Sequence, residues 1–532
     1  MQSSHRKKCR TTDNVFIIRS LFEKYCTVNN QKIYACFIDF RKAFDSIWHE
    51  GLMLKLLRAG IGGLFYNVIK NMYSKAKASV KNNGTELSDP FSIKRGVKQG
   101  DVLSPLLFNL YINDIIPLLQ QDDGFPPSLG GKTVGCLLYA DDLVILSTSP
   151  DGLQSSLNKV IGYWHNWKLD INYTKSKTLC FNKSGRGLKQ TFNIGDTNLS
   201  NVQRYTYLGI ELSASGSFKP AQEAVAKKAM RALFKLKNLL YDSSISVLTS
   251  LKLFDQLIKP VCLYGSEIWG FEFMKKHDVP YLFSGLERAP CEKVHISFCR
   301  FILGVHRKSQ LSAIRGELGR VPLATDAITN VLQYDKYLHT KEPGSLLHCA
   351  LNSSAHNQGI KSWYGNVSKM KEHLGSISNR SRKLIQRDLR SKYGQYWWDK
   401  IQLESKMRTY IQFKSHFEFE DYLNISNVKH RKAMTKLRIS AHRLAIERGR
   451  YNNIPLDKRI CTTCQGQIIE DEYHFLLKCI QHVNARQAML HTIDTMCENF
   501  KHLSEYDKFT YLLSAAAEIA VPTAKFISDC LP

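Results

Sequence analysis

The chain has 532 residues, which is too long for one ordinary hydrophobic core and predicts three or four structural units. Its 43% hydrophobic and 23% charged residues are typical of folded proteins and exclude wholesale disorder. Because 74 Lys and Arg against 47 Asp and Glu leave a formal charge of +27, a polyanion is the expected partner, nucleic acid before others. A basic protein that is simply well solvated is the alternative.

The first part of the chain is predicted to mix strands and helices. Residues 1–13 are polar and basic with no apolar core, which excludes a secretory signal. From about residue 33 to 183, short apolar runs alternate with helical patterns, as in an α/β or α+β layered fold. The patterns predict a strand at 32–40, a helix at 41–59, a helix at 100–119, and a tight hairpin from the apolar runs 134–139 and 143–147.

Beyond residue 190 the pattern becomes helical and then strongly basic. Successive helices are predicted at 218–241, 247–270 and 293–318. Between 361 and 450 there are 21 Lys and Arg against 8 Asp and Glu, interrupted by Trp363, Tyr364, Tyr393, Tyr396, Trp397, Trp398 and Tyr410. Such cations can hold phosphates while the rings stack on unpaired bases. Equally, the rings can form a helical core with the charges facing solvent, and the two interpretations are compatible.

No apolar stretch has the uninterrupted length of a membrane span. The nearest candidate, residues 509–527, contains Glu518, Pro522 and Lys525 and is predicted to be a packed terminal helix. The fourteen cysteines are scattered apart from one cluster near the C-terminus. A reducing compartment is therefore the simpler expectation, with that cluster as a metal site.

Three aspartates end apolar runs in the first part of the chain. Asp141 and Asp142 stand at the tip of the predicted hairpin, and Asp39 ends the strand before residue 41. Two adjacent like charges between buried strands are costly unless a cation neutralises them. Two-metal phosphoryl transfer uses cations about 4 Å apart, and such hard cations prefer carboxylates on a rigid frame. Taken singly, each aspartate could also be a turn or capping residue.

Seven segments occur in a characteristic order: FIDFRKAFD at 37–45, RGVKQGDVLSP at 95–105, YADD at 139–142, NYTKSK at 172–177, YLG at 207–209, LYGSEIW at 263–269 and ELGRVPL at 317–323. In this order they resemble motifs A, B, C and D, the primer-grip segment and two later blocks of the reverse transcriptases of non-LTR (LINE-type) retrotransposons. The resemblance covers nearly the whole chain. It implies a right-hand polymerase that extends a DNA primer on an RNA template with dNTPs and two Mg²⁺.

The resemblance also implies roles around the metals. Asp39 and Asp141 would bind both cations, with Asp142 a weaker or more distant ligand. Asp45, six residues after Asp39, is expected to be structural. Lys175 resembles the lysine that would protonate the leaving pyrophosphate as a general acid.

Four residues are expected to contact the nucleotide. Phe44 takes the position that blocks a ribose 2′-hydroxyl, although it also fits a core stripe and can be both. Gln99 and Gly100 would lie near the incoming nucleotide and template, or would simply begin a helix. Residues 3–13 resemble a worn fingers motif in which Arg6 would hold the triphosphate.

The cysteine cluster has the spacing of a zinc site. Cys461, Cys464, His474 and Cys479 offer three thiolates and one imidazole, a closed tetrahedral set suited to structural zinc. The segment around His474 resembles the C-terminal zinc-binding module of this retrotransposon class. Free reduced thiols are the alternative, and His482 is a weaker substitute ligand. The site is expected to organise a nucleic-acid-binding tail, because so short a segment has little core of its own.

The fold class that follows is α+β: a palm with an antiparallel sheet and helices, then a mostly helical thumb and connector, then a small zinc module. The expected domains are partial fingers and palm at 1–185, thumb and post-thumb helices at 186–330, a basic helical connector at 331–450, and the zinc-binding module with the terminal helix at 451–532.

The expected setting is intracellular, in a ribonucleoprotein of the nucleus and cytoplasm, with no membrane partner. Only 38 residues precede Asp39, so an N-terminally truncated form without an endonuclease domain is expected. One alternative is an inactive copy that only binds RNA. The other, an RNA-dependent RNA polymerase, is disfavoured by Phe44 and by Ala140 in place of the glycine usual in those enzymes.

Overall fold

The computed structural model describes the chain except for residues 1, 2, 5, 7, 8, 82–85, 121–123, 188–189, 242–244, 275–282, 358–361, 515 and 532. The chain divides into two compact units. The first contains residues 1–221, 265–271 and 331–372, and the second contains 222–264, 272–330 and 373–532. The domain boundaries at 185, 330 and 450 concern functional parts of the chain and remain predictions.

The strands belong to the first unit. They are β1 Ile33–Ile38, β2 Lys77–Ala78, β3 Phe91–Ser92, β4 Ser128–Leu129, β5 Lys132–Thr133, β6 Cys136–Tyr139, β7 Asp142–Ser147, β8 Lys177–Phe181, β9 Phe192–Ile194, β10 Thr197–Asn201, β11 Arg204–Tyr207 and β12 Ile210–Ser213. Six of them form one sheet in the order β6-β7-β1-β8-β10-β9, antiparallel except for the parallel pair β8 and β10. The α+β class with a predominantly antiparallel sheet is thereby confirmed.

Helices cover this sheet. The early ones are α1 Thr11–Leu21, α2 Ala43–Ser46, α3 His49–Arg58, α4 Gly63–Ser74, α5 Ser104–Ile112, α6 Ile115–Leu119 and α7 Pro150–Trp167. The central strand β1 is buried at all six residues, and α7 packs on β1 and β7. The first helical turn of α7 is fixed by Pro150 and by the Ser149 hydroxyl, which accepts a hydrogen bond from the Gly152 amide at 3.0 Å. This packing holds the edge of the sheet that carries the aspartates.

The later helices run through both units. They are α8 Lys219–Tyr241, α9 Val247–Leu253, α10 Lys259–Cys262, α11 Ser266–Trp269, α12 Pro290–Leu303, α13 Leu311–Leu318, α14 Leu323–His339, α15 Leu346–His356, α16 Trp363–Leu374, α17 Arg382–Leu403, α18 Tyr410–Phe413, α19 Val428–Arg438, α20 Ala445–Tyr451, α21 Val483–Met496, α22 Glu505–Ser514 and α23 Ala517–Cys530. Within the described ranges, no helix has the length and apolar character needed to cross a bilayer.

Several predicted helices are interrupted in the structure. The helix expected at 41–59 is split into α2 and α3 because the backbone is extended at Ile47 and Trp48. There the amide of Gly96 donates to the carbonyl of Ile47 at 2.8 Å. The Ile47 carbonyl therefore accepts from a residue distant in sequence and not from a helical amide. The helix expected at 293–318 ends at Leu303, since Gly304 adopts the left-handed conformation with φ +65° and closes α12.

Other predicted elements are shorter than expected. The helix at 100–119 begins only at Ser104 and is divided into α5 and α6, while the helix at 247–270 is divided into α9, a π-helical turn, α10 and α11. The terminal stretch 509–527 contributes to two helices, α22 and α23. The hairpin prediction is confirmed, with a connection of two residues because Asp142 already pairs with Tyr139.

Candidate active site and metal centre

The register of the central sheet brings the three aspartates together. Strand β1 pairs antiparallel with β7 so that Ile38 faces Leu143. Asp39 follows β1 directly, and Asp142 is the first residue of β7, with Asp141 before it in the turn. In an antiparallel pair the residues after Ile38 and before Leu143 are cross-strand neighbours. The carboxylate of Asp39, about a hundred residues away in sequence, therefore lies with those of Asp141 and Asp142 at one edge of the sheet.

Desolvation and neighbouring charge raise the pKa of two of these carboxylates, Asp141 and Asp142. Desolvation raises the pKa of Asp141 above its ordinary value, and the charge of Asp39 adds to this. The side chain of Asp142 keeps solvent contact, yet desolvation by the surrounding protein, with the charges of Asp141 and Asp39, raises its pKa to about 6. A cluster of this kind is stabilised by bound cations, so the donor set fits hard divalent metals.

The backbone of Asp39 is held by the segment that contains NYTKSK. Its amide donates to the hydroxyl of the buried Ser176 at 3.1 Å, and its carbonyl accepts from the Asn172 amide at 2.8 Å. The exposed Lys175 places its Nζ 3.9 Å from Oδ2 of Asp39. Lys175 is thus beside the carboxylate, as the proposed general acid requires. The role of Ser176 was not predicted, although it lies inside the quoted motif.

The N-terminal segment forms hydrogen bonds to strand β6 of the aspartate hairpin. The amide and hydroxyl of Ser3 both donate to the carbonyl of Leu138 at 3.1 Å. The buried Asn14 amide group donates to the same carbonyl at 3.2 Å and to the Tyr207 hydroxyl at 3.1 Å. At the tip, Ala140 has φ +53°, a left-handed conformation that costs a residue with a Cβ atom about 1–2 kcal/mol. Ser3 belongs to the segment that resembles the fingers motif, but this contact was not predicted for it, and no sequence pattern marked Asn14.

The YLG segment forms a second hairpin near the carboxylates. The ring of Tyr205 on β11 stacks on Phe37 of β1, with centroids 4.2 Å apart and planes inclined by 17°. Burial raises the pKa of Tyr205 to about 12, with further contributions from the charges of Asp142 and Asp39. The turn of this hairpin contains Leu208 at φ +48°. The primer-grip segment expected from the sequence therefore lies beside the aspartates.

The residues expected to contact the nucleotide occupy three different environments. Phe44 is half-buried and stacks on Phe108 with centroids 4.5 Å apart, so it does take part in the core stripe. The side-chain amide of Gln99 donates to the Asp45 carboxylate at 2.9 Å, and both residues are exposed. Gly100 has φ +85° in open space. The carboxylate of Asp45 therefore contacts the side chain of Gln99.

Arg6 lies in a cavity of about 500 Å³ with Lys55, Arg58, Asn109 and Asp114 in its wall. None of the three catalytic candidates lines that cavity. The triphosphate role of Arg6 remains a prediction. His5, Lys7 and Lys8 from the same sequence run lie outside the described residues.

The four residues of the cysteine cluster meet in the second unit. The ligand atoms of Cys461, Cys464, His474 and Cys479 all lie within 4.8 Å of one another. The Sγ atoms of Cys461 and Cys479 are 4.0 Å apart, and Cys464 Sγ is 3.4 Å from His474 Nε2. This cluster could bind a metal ion, and three thiols with one imidazole match the donors that zinc prefers.

Hydrogen bonds act on the thiols of this cluster. Burial raises the pKa of the Cys461 thiol, but hydrogen bonds from the amides of Thr463 and Cys464 and with the Cys464 and Cys479 thiols leave it below its ordinary value, whereas burial raises the pKa of Cys479 to about 12. The amide of His474 donates to Asp471 Oδ1 at 2.8 Å, which fixes the start of the turn that carries the imidazole. His482 instead packs its ring against Phe475 and Phe526.

The aromatic residues of the basic region are mainly core. Trp363, Tyr393, Trp397 and Tyr410 are buried, and the other three predicted stacking residues are half-buried. The indole of Trp397 donates to the carbonyl of Ser312 at 2.8 Å, and its ring lies 5.4 Å from that of Phe417. Of the two interpretations of this region, the structure favours a core for the buried rings.

Three carboxylates at the edge of an antiparallel sheet define the class: a polymerase palm of the type that transfers nucleotides with metal ions. Residues 2–212 match the family model described as "Reverse transcriptase (RNA-dependent DNA polymerase)". This part of the chain is therefore similar to reverse transcriptases, and its curated relatives include Pol polyproteins and RNA-directed DNA polymerases of retrotransposable and other mobile elements.

Two relatives illustrate the extent of the similarity. The chain is 32% identical over 196 residues to a Pol polyprotein from the type-1 retrotransposable element R2 of Nasonia vitripennis, covering 35% of this chain and 18% of that protein. It is 27% identical over 262 residues to the probable RNA-directed DNA polymerase from transposon X-element of Drosophila melanogaster, covering 48% and 28%. The alignments therefore span less than a third of either relative.

Among solved structures, telomerase from Candida tropicalis in complex with a fragment of telomeric RNA aligns at 14% identity with a TM-score of 0.30. The alignment covers 64% of this chain and 52% of that one. A likeness this distant carries no inference about the function of this chain.

Proposed function

We propose that this chain is an RNA-directed DNA polymerase of a non-LTR retrotransposon, extending a DNA primer on an RNA template. The observation that carries the proposal is the meeting of Asp39 with Asp141 and Asp142 through the β1 and β7 register. The raised pKa of Asp141 and Asp142 supports it, since desolvation and the nearby charge of Asp39 make both carboxylates costly to ionise and a bound cation would offset that cost.

The proposed metal ligands are Asp39 and Asp141 for two Mg²⁺, with Asp142 a weaker ligand. Bound there, the ions would activate the primer 3′-hydroxyl and stabilise the charge of the leaving pyrophosphate. The protein's contribution is rigidity, because Ser176 and Asn172 fix the backbone of Asp39 while Ser3 and Asn14 fix the carbonyl of Leu138 behind the turn.

Other side chains are proposed to select the incoming nucleotide and to protonate the leaving pyrophosphate. Lys175, 3.9 Å from Asp39, would donate a proton to the leaving pyrophosphate. Phe44, held against Phe108, would exclude a ribose 2′-hydroxyl, which favours dNTPs over NTPs. Gln99, held by Asp45, and Gly100, with open space around its backbone, would face the nucleotide and template. Arg6 is proposed to bind the triphosphate.

The zinc proposal concerns structure rather than catalysis. Cys461, Cys464, His474 and Cys479 would hold one Zn²⁺ that organises the C-terminal module. We further propose that the chain has the palm, thumb, connector and zinc-module divisions given by the sequence. It would act in the nucleus and cytoplasm as a ribonucleoprotein with its RNA.

The test is primer extension on a primed RNA template with Mg²⁺, comparing dNTPs with NTPs. We expect extension with dNTPs and a loss of at least about a thousandfold in Asp141→Asn, since removing one charge from a two-metal site removes several kcal/mol of transition-state stabilisation. Synthesis by Asp141→Asn at the parent rate, or synthesis from NTPs alone, would contradict the proposal. RNA binding without synthesis would indicate an inactive copy.

A further inference from the structure

A cavity of about 630 Å³ in the second unit has a wall dominated by positive charge. Five cationic side chains from three helices, α8, α12 and α19, and one loop line it: Lys237, Lys293, Arg300, Arg307 and Lys432. The acidic residue in the wall is Glu287, and Lys400 Nζ already lies 3.3 Å from its Oε1. The cavity therefore keeps a net positive charge that its own acid does not balance.

The five cations have no acidic partners in the part of the chain that the structure describes. Lys237 Nζ donates to a neutral group, the Ser297 hydroxyl, at 2.9 Å. The buried Nε of Arg300 has no hydrogen-bond partner in that part either. The methylene stem of Lys432 lies against Gly304, where an added Cβ would be 2.5 Å from the lysine Cδ.

Burial acts on Lys237 and Lys432, and like charges from its own helix act on Lys432 as well. Desolvation lowers the pKa of Lys237 below its ordinary value. The pKa of Lys432 is lowered by desolvation and then by the charges of Arg431 and Lys436. Because the cost of such a cluster falls when negative charge approaches, the wall is prepared for an anionic ligand.

Aromatic and apolar side chains distinguish this cavity from a simple phosphate clamp. Tyr241, at the end of α8, is 77% exposed. The half-buried ring of Phe301 has Lys237 Nζ 5.4 Å from its centroid. Ile296, Val305 and Leu311 complete the wall. Exposed rings beside backbone-tracking cations are the combination that binds unpaired bases and phosphates together.

We propose that this cavity is a binding site for single-stranded nucleic acid, with the five cations on backbone phosphates and a base stacked on Tyr241. It lies in the unit that does not contain Asp39, Asp141 and Asp142, and its wall uses none of the seven motif segments. The site is therefore additional to the polymerase site and does not depend on polymerase activity.

The experiment measures binding of fluorescent single-stranded RNA and DNA oligonucleotides of the same sequence to the full chain, without dNTPs or Mg²⁺. The test variant is Lys237→Gln, Arg300→Gln and Lys432→Gln combined, which removes three charges and keeps the packing stems. The matched control combines Lys383→Gln, Lys458→Gln and Lys525→Gln, three exposed lysines of the same unit outside the cavity. Thermal melting checks that both variants are folded.

We expect the cavity variant to bind at least tenfold more weakly, while the control changes less than about twofold. The slope of log K against log salt should fall by about 2 for three lost phosphate contacts on a single strand. Tyr241→Ala should also weaken binding and Tyr241→Phe should not, since stacking needs the ring. The larger loss, for RNA or for DNA, identifies the natural strand.

Two results would overturn the site, and a third would overturn the part of the proposal that concerns Tyr241. Equal losses in the cavity and control variants would mean non-specific attraction to a basic protein. Unchanged oligonucleotide binding combined with lost binding of inorganic tripolyphosphate would mean a small-anion site. Equal binding by Tyr241→Ala and the parent would remove the stacking role. Since binding is measured without synthesis, none of these results bears on the polymerase proposal.

Discussion

The aspartate hairpin of the first unit and the aromatic residues of the basic region differ in whether their side chains remain accessible to a ligand. At the hairpin, Asp141 and Asp142 are packed between buried strands yet remain open to solvent at the tip. In the basic region, Trp397 is only 1% exposed and its indole N–H is already bonded to Ser312. A side chain of a type that binds ligands is available to do so where a strand ends or a turn reaches the surface, as at this hairpin. Elsewhere the same types form the core.

The largest effect of a single substitution is expected in the zinc module, because four ligands and a small core hold it together. Cys464→Ser should abolish stoichiometric zinc binding and unfold the segment around the cluster, with a loss on the order of 10 kcal/mol of metal-linked folding energy. Elemental analysis and hydrogen exchange measure both effects. Cys530→Ser, which changes a cysteine outside the cluster, should keep one zinc per chain. Full zinc content in Cys464→Ser would remove the four-ligand assignment.

The basic region gives the next largest effect. Trp397→Ala should destabilise the second unit by about 3–5 kcal/mol because it removes a buried indole from contact with Tyr410 and Phe417. Urea unfolding measures the change in the free energy of unfolding. The control is Trp398→Ala, at the half-buried neighbour, for which a smaller loss is expected. Trp397→Phe should retain RNA binding, since the ring serves the core. If it lost RNA binding while remaining as stable as the parent, the base-stacking interpretation would be restored for this residue.

A smaller effect is expected at the support of the aspartate site. Ser176→Ala removes the acceptor for the Asp39 amide and should lower kcat about tenfold, as one lost hydrogen bond in a site that depends on positioning. KM for dNTPs should not change, because Ser176 is proposed to position the carboxylate and not to touch the nucleotide. Ser74→Ala, at the exposed end of α4, is the matched control, because its hydroxyl bonds to the Asn71 carbonyl of the same helix. A rise in KM at unchanged kcat would contradict the positioning role.

The sequence predicted what depends on local pattern. Short apolar runs ending at Asp39 and before Asp141 predict strands that stop at carboxylates, and antiparallel pairing then brings these ends together. The Cys461 to Cys479 spacing likewise predicts a closed ligand set, and the four ligand atoms do meet. In both cases the chemistry follows from short segments that fold in a stereotyped way.

Contacts between distant segments were outside the reach of such patterns. Ser3 and Asn14 reach the carbonyl of Leu138 across more than a hundred residues, and no periodicity marks them. The break between α2 and α3 depends on Gly96 bonding to Ile47, which only the folded chain defines. The cationic cavity joins Lys237 to Lys432, although the sequence placed the nucleic-acid contacts among the aromatics of 361–450.

The convergence of Asp39 with Asp141 and Asp142 on bound metal can be measured directly by cleavage of the polypeptide with Fe²⁺ in place of Mg²⁺. With ascorbate and peroxide, the bound iron generates hydroxyl radicals that cut the nearby backbone. The predicted result is two cuts, one near residue 39 and one near residues 141–142, both suppressed by excess Mg²⁺ and by Asp141→Asn. Cutting near 141–142 with none near 39 would contradict the shared metal site.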